Sequence, residues 1–515
     1  MRYLHVELPS LHLVWERPEK DPMMCSVIRT NYPKPSPLIV CAIAREAGLD
    51  VNAVDMKIRD QDQIIPYRHF AYGDGVMHAS RMGMAFESVA DRIAEADILG
   101  ISVNPTSWAN ITLDFLRFAR FINPKLKVIV GGTDAMFRDE FYVKTGLVDF
   151  VIRGEGEYAG HALLKKLATG KTDFLTVPRI SFYQNGQIFK TPKGPTVHLD
   201  DIPLPALDLF TDDIPLWTTP IEYWSFPEGV QPPIGFIELS RGCNESCGYC
   251  TTPAKYGRFR VQSLDRVKGE LDHFRRFGIT TLNIWDDSMS SLVMQGETER
   301  LLATIRLIRA EGFSFEFSQG MVISHLWDVA RDQPNEALIR ELYGHEMVNG
   351  KWIGCYAEYF PLECLQQENP HNAYDKLMTF DRELCVLDAI LDAGIPRLTY
   401  STIVGANEDD ESGIRLATER LKEVTARIET RGAQGFETPF MFQAFRGTSL
   451  YPKYASQMTY PIDDYPELYQ LNAAGHHTSH FTAPQLTARK KEMERELYGE
   501  ECFKRWINTG RYPWK

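Results

Sequence analysis

The sequence predicts an α/β protein: an N-terminal doubly wound, Rossmann-like domain, then a partial (β/α)6 barrel, then a small mixed C-terminal region. Three observations carry that expectation. Strand-like and helix-like segments alternate over residues 2–170, and alternate again from Gly235 to Arg446. A stretch holding nine prolines, residues 171–232, separates the two runs. The 515 residues also exceed one ordinary core at roughly 150 residues per domain. The expected divisions are 1–170 for the sheet domain, 171–232 for a proline-rich linker, 233–450 for the barrel and 451–515 for an α-rich C-terminal region.

The first strand is residues 2–8, where apolar and polar positions alternate. A long loop rich in Pro, Met and charge is expected up to Pro35. Residues 37–48 have helical spacing and end on Gly48, a helix-stopping residue. Asp50–Asp55 is the second strand. Ala96–Val103 is the third, a nearly continuous apolar run suited to a parallel sheet covered on both faces. A helix over 112–122 leads to strand 127–130, which closes on Gly131-Gly132. Phe150–Ile152, a glycine turn and helix 158–168 complete the pattern. Ligands of such sheets lie beyond the carboxyl ends of the strands.

In the second run, strands are expected at 236–239, 282–285, 313–318, 351–357, 397–403 and 440–444. Helices are expected at 263–277, 297–311, 381–393 and 411–427. Strand ends in such an array face one mouth, where chemistry is placed. The C-terminal tail carries Tyr451, Tyr454, Tyr460, Tyr465, Tyr469, His476, His477 and His480, which either pack or line a substrate pocket.

The formal net charge is −13, which argues against a broad nucleic-acid surface. No run of about 18 apolar residues occurs, so no membrane span is expected. The N-terminus has no apolar leader, so the expected location is the cytoplasm. Nine cysteines, six of them scattered, do not form a secreted disulfide framework.

Three cysteines crowd into eight residues: Cys243, Cys247 and Cys250, spaced C-x3-C-x2-C directly after a strand. Thiolates bind iron–sulfur clusters. Three on one loop can hold three irons of a cubane and leave the fourth iron open to another ligand. Zinc is the alternative, but structural zinc takes four ligands and no fourth Cys or His lies close in sequence. Cys355, Cys364, Cys385 and Cys502 show no second cluster spacing.

With its lead-in Phe236–Gly242, this motif resembles the radical-SAM superfamily, over residues 235 to 450. The resemblance implies a [4Fe–4S] cluster on Cys243, Cys247 and Cys250, with S-adenosyl-L-methionine (SAM) bound beside it. It further implies that Tyr249 approaches the SAM adenine. Asp286, in Asn283-Ile284-Trp285-Asp286-Asp287-Ser288, would help hold SAM, as would Gln319 at the next strand end. Glu358, in Gly354-Cys355-Tyr356-Ala357-Glu358, would face the SAM ribose. Arg260 and Glu270 resemble the entry to the first barrel helix. Two departures stand out. Asn407 follows Gly405-Ala406 where the family turn has proline, and Arg446 replaces a proline in the closing strand. Each residue also has a plainer use: Asp286 and Asp287 as caps, Gln319 on backbone, Glu358 in an ion pair, Tyr249 in packing and Arg260 as a solvated charge.

Residues 2–170 resemble the cobalamin-binding domain joined to many radical-SAM enzymes. The resemblance rests on Pro35–Leu38, Ala44–Gly48, Ile98–Ser102, Val130–Thr133 and Arg153–Glu157. It implies cobalamin, with Ser102 and Thr106 bonding its nucleotide tail and Gly131, Gly132 and Glu155 close to it. No Asp-x-His-x-x-Gly follows the first strand, so the lower-axial His is missing; His5 and His12 lie in another pattern.

Together the two resemblances imply a class B-like methyltransferase. It would C-methylate an unactivated carbon of a small metabolite or peptide, through a 5′-deoxyadenosyl radical and methylcobalamin. Its external electron donor would be a flavodoxin or ferredoxin. The alternatives are a radical rearrangement, cyclisation or sp2-carbon methylation with cobalamin in another role, and a non-catalytic iron–sulfur protein.

Overall fold

A computed structural model describes residues 1–18, 20–25, 35–218, 226–362, 365–366, 378–406 and 409–501. Asn407, Cys364 and Cys502 lie outside the described residues. The chain forms two compact units. The first comprises Met1–Leu216 with Phe445–Gly447 and Tyr460–Gln470; the second comprises Trp217–Ala444, Thr448–Thr459 and the remainder from Leu471.

In the first unit the strands are β1 (Arg2–Glu7), β2 (Ser10–Arg17), β3 (Lys20–Met24), β4 (Asp50–Asp55), β5 (Ile64–Tyr72) and β6 (Gly75–Met82). They continue as β7 (Ile98–Ser102), β8 (Lys127–Gly131), β9 (Phe150–Ile152), β10 (Ile180–Gln184) and β11 (Gln187–Lys190). The main sheet has the order β11-β10-β9-β8-β7-β1-β4. Its β9-β8-β7-β1-β4 portion is parallel, and β10 and β11 are added antiparallel. Strand order reverses between β1 and β7, which puts a ligand crevice beyond Glu7 and Ser102. The inner strands β7 and β8 are apolar on both faces because helices cover them, whereas β1 buries His5 and Glu7. Pro35–Glu46 and Glu157–Ala168 pack on the sheet through Tyr3, Ile43, Ala44, Ile129, Leu163 and Leu164.

Two features of this unit differ from the sequence expectation. The stretch after β1, expected as a loop, contributes β2 and β3 to an antiparallel sheet of order β3-β2-β6-β5. Leu11, Leu13 and Trp15 are buried on one face while His12 and Val14 turn to the other, a period-2 signal that was legible. Tyr72-Gly73-Asp74-Gly75 closes the β5–β6 hairpin, with Gly73 at φ +61°. Residues 171–216, expected as linker, pack into the unit. They supply β10 and β11, and bury Val197, Leu199, Ile202 and Ala206. Prolines fix an extended backbone but leave the side chains between them able to pack.

The second unit has β12 (Ile234–Ile237), β13 (Ser240–Arg241), β14 (Arg260–Val261), β15 (Thr281–Ile284), β16 (Ser314–Phe317), β17 (Trp327–Asp328) and β18 (Gln333–Pro334). These are followed by β19 (His345–Val348), β20 (Lys351–Pro361), β21 (Arg397–Ser401), β22 (Ile403–Val404), β23 (Gln434–Glu437) and β24 (Phe440–Met441). The sheet β12-β15-β16-β20-β21-β23 is parallel throughout, with β19 folded back on β20. Helices Leu264–Arg276, Thr298–Ala310, Glu336–Tyr343, Phe380–Asp392 and Glu411–Thr430 provide the crossovers. Among the described residues this is a six-stranded partial barrel. No helix of the described residues is long and apolar enough to cross a membrane.

The tail histidine His476 packs edge-on against Phe442 and Tyr454 and donates Nε2–H to the Gly405 carbonyl at 2.8 Å. Burial lowers its pKa from 6.5 to about 4. An unfolded ring therefore takes up a proton first as pH falls. The stability this site contributes is present above pH 6.5 and drains as pH drops toward 4, by up to about 3 kcal/mol. Urea titrations across that window are expected to show the loss, and His476→Phe to flatten it. Tyr460 and Tyr465 pack in the first unit against Tyr72 and Phe70.

Candidate functional site

The cysteine loop hangs from a short ladder. After β12 the chain pairs Ser240 with Val261 and Arg241 with Arg260, so residues 242–259 are looped out from a fixed base. Gly242 begins the loop at φ +88°, and a Cβ there would lie 3.0 Å from the Arg258 carbonyl oxygen. Only glycine fits that turn without strain. Cys250 N–H then donates to the Cys247 carbonyl at 3.0 Å, folding the last two cysteines toward each other.

All three cysteines are thiols rather than disulfides; Cys247 is buried, Cys243 and Cys250 half-buried. Backbone N–H groups point at two of the sulfurs: Glu245 N to Cys243 Sγ and Thr252 N to Cys250 Sγ, each 3.4 Å. Such N–H···S contacts stabilise negative charge on cluster thiolates. Among the described residues no three His, Cys, Asp or Glu side chains converge on one ion. A cubane does not require that, since each thiolate binds its own iron. The donor set therefore fits a three-thiolate cluster.

The loop is braced from β15, the strand beside β12. Asp286 Oδ1 accepts the Leu239 N–H at 2.7 Å, and Oδ2 accepts the Ser240 hydroxyl at 2.8 Å. Asp287 Oδ2 accepts the Gly242 N–H at 2.9 Å, and Oδ1 the Thr252 hydroxyl at 3.0 Å. One aspartate thus holds the approach to the loop, and the other ties together the residues flanking all three cysteines. Burial pushes the Asp286 carboxyl well above its ordinary range, against its hydrogen bonds. Gly248 rests against Leu450, whose N–H donates to the Gly248 carbonyl at 3.0 Å.

In the first unit, β7 and β8 end side by side at Ser102 and Gly131. A Cβ on Gly131 would meet nothing within 4 Å, so this strand end opens onto space that a cofactor's tail can enter. Gly132 differs: at φ +98°, its Cβ would lie 2.4 Å from the Val103 carbonyl oxygen. Gly132→Ala is expected to lower the melting stability of this unit by about 2 kcal/mol or more, from left-handed strain plus that clash.

The family model of the B12-binding domain matches residues 24–164. Over 287 residues the chain is 29% identical to an uncharacterized methyltransferase of Pyrococcus horikoshii, covering 54% of this chain and 55% of that one. It is 32% identical over 212 residues to the hopanoid C-3 methylase of Methylococcus capsulatus, covering 38% and 37%. The cobalamin-dependent S-adenosylmethionine radical enzyme OxsB, solved with aqua-cobalamin and S-adenosylmethionine, superposes at TM-score 0.64 with 13% identity. That match covers 99% of this chain and 70% of OxsB. The radical S-adenosylmethionine methyltransferase TsrM from Kitasatospora setae gives 0.55 at 13% identity, over 89% and 79%. Residues 24–164 thus match a B12-binding domain, and the chain shares the fold of these two solved enzymes. It spans about half or less of the length of the curated relatives it matches.

The barrel residues singled out in the sequence fall as follows. Glu358 is buried near the end of β20 in register with Phe317, and its Oε1 accepts the Met321 N–H at 2.9 Å. Burial holds its carboxyl well above the usual range. Gln319 is exposed just past β16. Tyr249 is half-buried and packs beside Phe442, Ala444 and Tyr454. Arg260 sits in β14 and donates from Nε to the Arg258 carbonyl at 3.3 Å. Glu270 is buried against Arg266 and Gln262.

In the B12-binding-type unit, Thr106 donates its hydroxyl to Asp134 Oδ1 at 2.6 Å, and Glu155 is buried. Asp134 also accepts from Arg138 Nη1 and the Tyr142 hydroxyl. The sequence reading missed this trio. Its signal is spacing: 134, 138 and 142 fall four apart, although Arg138 sits at the break between helices Thr133–Phe137 and Asp139–Lys144. Burial pushes the Tyr142 phenol well up, and Asp134 pushes it further.

Proposed function

We propose that this protein is a cobalamin-dependent radical-SAM enzyme that C-methylates an unactivated carbon of a small metabolite or peptide. The observation that carries the proposal is the loop of three thiols beyond the first barrel strand, with amide hydrogens aimed at two of its sulfurs. The B12-binding domain match and the methyltransferase and methylase relatives support it. When bound, a [4Fe–4S] cluster and SAM supply one-electron chemistry, and cobalamin supplies a methyl carrier. Cys243, Cys247 and Cys250 would hold three of the cluster's four irons. Asp286 and Asp287 hold the loop from beneath, so its sulfurs are preorganised before metal arrives. Glu358, Gln319 and Tyr249 line the SAM side of the barrel mouth. Gly131 leaves room for the cobalamin tail, with Ser102, Thr106, Gly132 and Glu155 around it. The electron enters from an external donor of flavodoxin or ferredoxin type.

The test is anaerobic reconstitution with iron, sulfide and hydroxocobalamin, followed by product analysis. S-adenosylhomocysteine together with 5′-deoxyadenosine, and cobalamin absorbance in the purified protein, is the expected result. 5′-Deoxyadenosine alone would favour rearrangement or cyclisation over methylation. Neither product, from protein carrying a full cluster, would overturn the proposal.

A further inference from the structure

We propose that His325 is a positioning residue for the iron-binding loop and acts on it through Glu245. This rests on the cluster assignment proposed above. Glu245 lies between the first two cysteines, and its own N–H is the donor to Cys243 Sγ. Its carboxylate oxygen Oε1 stands 2.9 Å from His325 Nε2. The other ring nitrogen, Nδ1, is 3.0 Å from Ser290 Oγ.

Ser290 Oγ already accepts the Val322 N–H, at 3.1 Å. Glu245 Oε1 is a carboxylate oxygen and only accepts, so Nδ1 is the ring's acceptor and takes the Ser290 hydroxyl proton. That places the ring proton on Nε2, which donates to Glu245. The His325 side chain is 2% exposed and that of Glu245 14%, so water competes little for this bond. Residues 80 apart in sequence are joined here, and Ser290 follows the same strand end that carries Asp286 and Asp287.

The arrangement acts on the cluster in two ways. A carboxylate beside iron thiolates disfavours the addition of an electron, and a hydrogen bond from His325 spreads that charge. Fixing the Glu245 side chain also fixes the peptide whose N–H faces Cys243, and a donor to sulfur favours the reduced cluster. The ring therefore makes the loop both tighter and easier to reduce.

Two substitutions separate this role from packing. His325→Ala removes the donor and leaves the charge. It is expected to lower the midpoint potential of the reconstituted cluster and to weaken iron retention about tenfold. In cluster-free protein, Cys243 should be alkylated faster by iodoacetamide. Glu245→Gln keeps an acceptor for Nε2 and removes the charge. Its potential should lie at or above wild type, with iron retained. A packing role would move both variants the same way, and that outcome overturns the proposal. So would His325→Ala with wild-type potential and alkylation rate. Should His325→Ala fail to fold by circular dichroism, His325→Gln and Ser290→Ala replace it, with a lowered potential again expected. Wild-type protein that forms no cubane would sink the cluster assignment instead. The alkylation rates then still decide whether His325 holds the loop, and equal rates refute it.

Discussion

Replacing Cys247 with alanine is expected to abolish the cluster and, with it, all SAM consumption. Cys247 is the most enclosed of the three sulfurs, and its carbonyl accepts the Cys250 N–H that turns the loop. With two thiolates left, one more iron of a cubane is exposed and the site cannot retain it. Cys243→Ala and Cys250→Ala should behave alike, because each removes one of three irons' ligands. Iron and sulfide analysis with low-temperature EPR reads the loss directly. The first unit should still bind cobalamin in all three variants, since its sheet folds from its own residues. Cluster signals surviving in the three variants would leave the assignment without support.

Lys57→Met is expected to be the most destabilising single change in the first unit, by about 3–5 kcal/mol. Lys57 lies just past β4, with Nζ 2.7 Å from Asp55 and 3.7 Å from Glu7, and all three side chains are at most 1% exposed. Burial works against the lysine's charge, but Asp55 and Glu7 outweigh it and hold the ammonium above its ordinary range. Burial likewise raises the Asp55 carboxyl, against the pull of Lys57. Removing the cation leaves two carboxyl groups buried beside each other. Their folded-state pKa values then rise above the unfolded ones, so the variant loses stability as pH rises through the unfolded carboxylate range. The deficit should be small near pH 4 and full at pH 7. Urea unfolding at both pH values checks this, and adding Asp55→Asn should recover part of the loss.

Legibility followed the range of the physical signal. β7, β8 and β9 were readable because strands buried on both faces form apolar runs, and β1 because apolar and polar positions alternate along it, with helices punctuating all of them. Five of the six barrel strands were readable from short apolar runs set between helices; the sixth was expected at 440–444 and forms at Gln434–Glu437. The β2–β3 and β5–β6 hairpins were missed despite local alternation, because polar and charged residues on their second face resemble loop composition. The linker was misjudged because proline marks where a helix cannot run, not where packing stops.

Within the site the same division holds. Three cysteines in eight residues announce metal chemistry by composition alone, since thiolates so close need no tertiary contact to share a ligand. Asp286 and Asp287 were legible as a pair but not as braces; that needed the pairing of β12 with β15. His325 and the Glu7–Lys57 pair carried no signal, because these partners lie tens of residues apart in the chain.

The amino-acid order by itself marked the strands and helices of the two parallel sheets and the loop of three clustered cysteines, because periodicity and clustering act over a few residues. Only the folded chain decided what grips that loop and where buried charges meet. Those contacts join residues tens of positions apart, and their energies depend on distance and exclusion of water, neither of which a linear pattern contains.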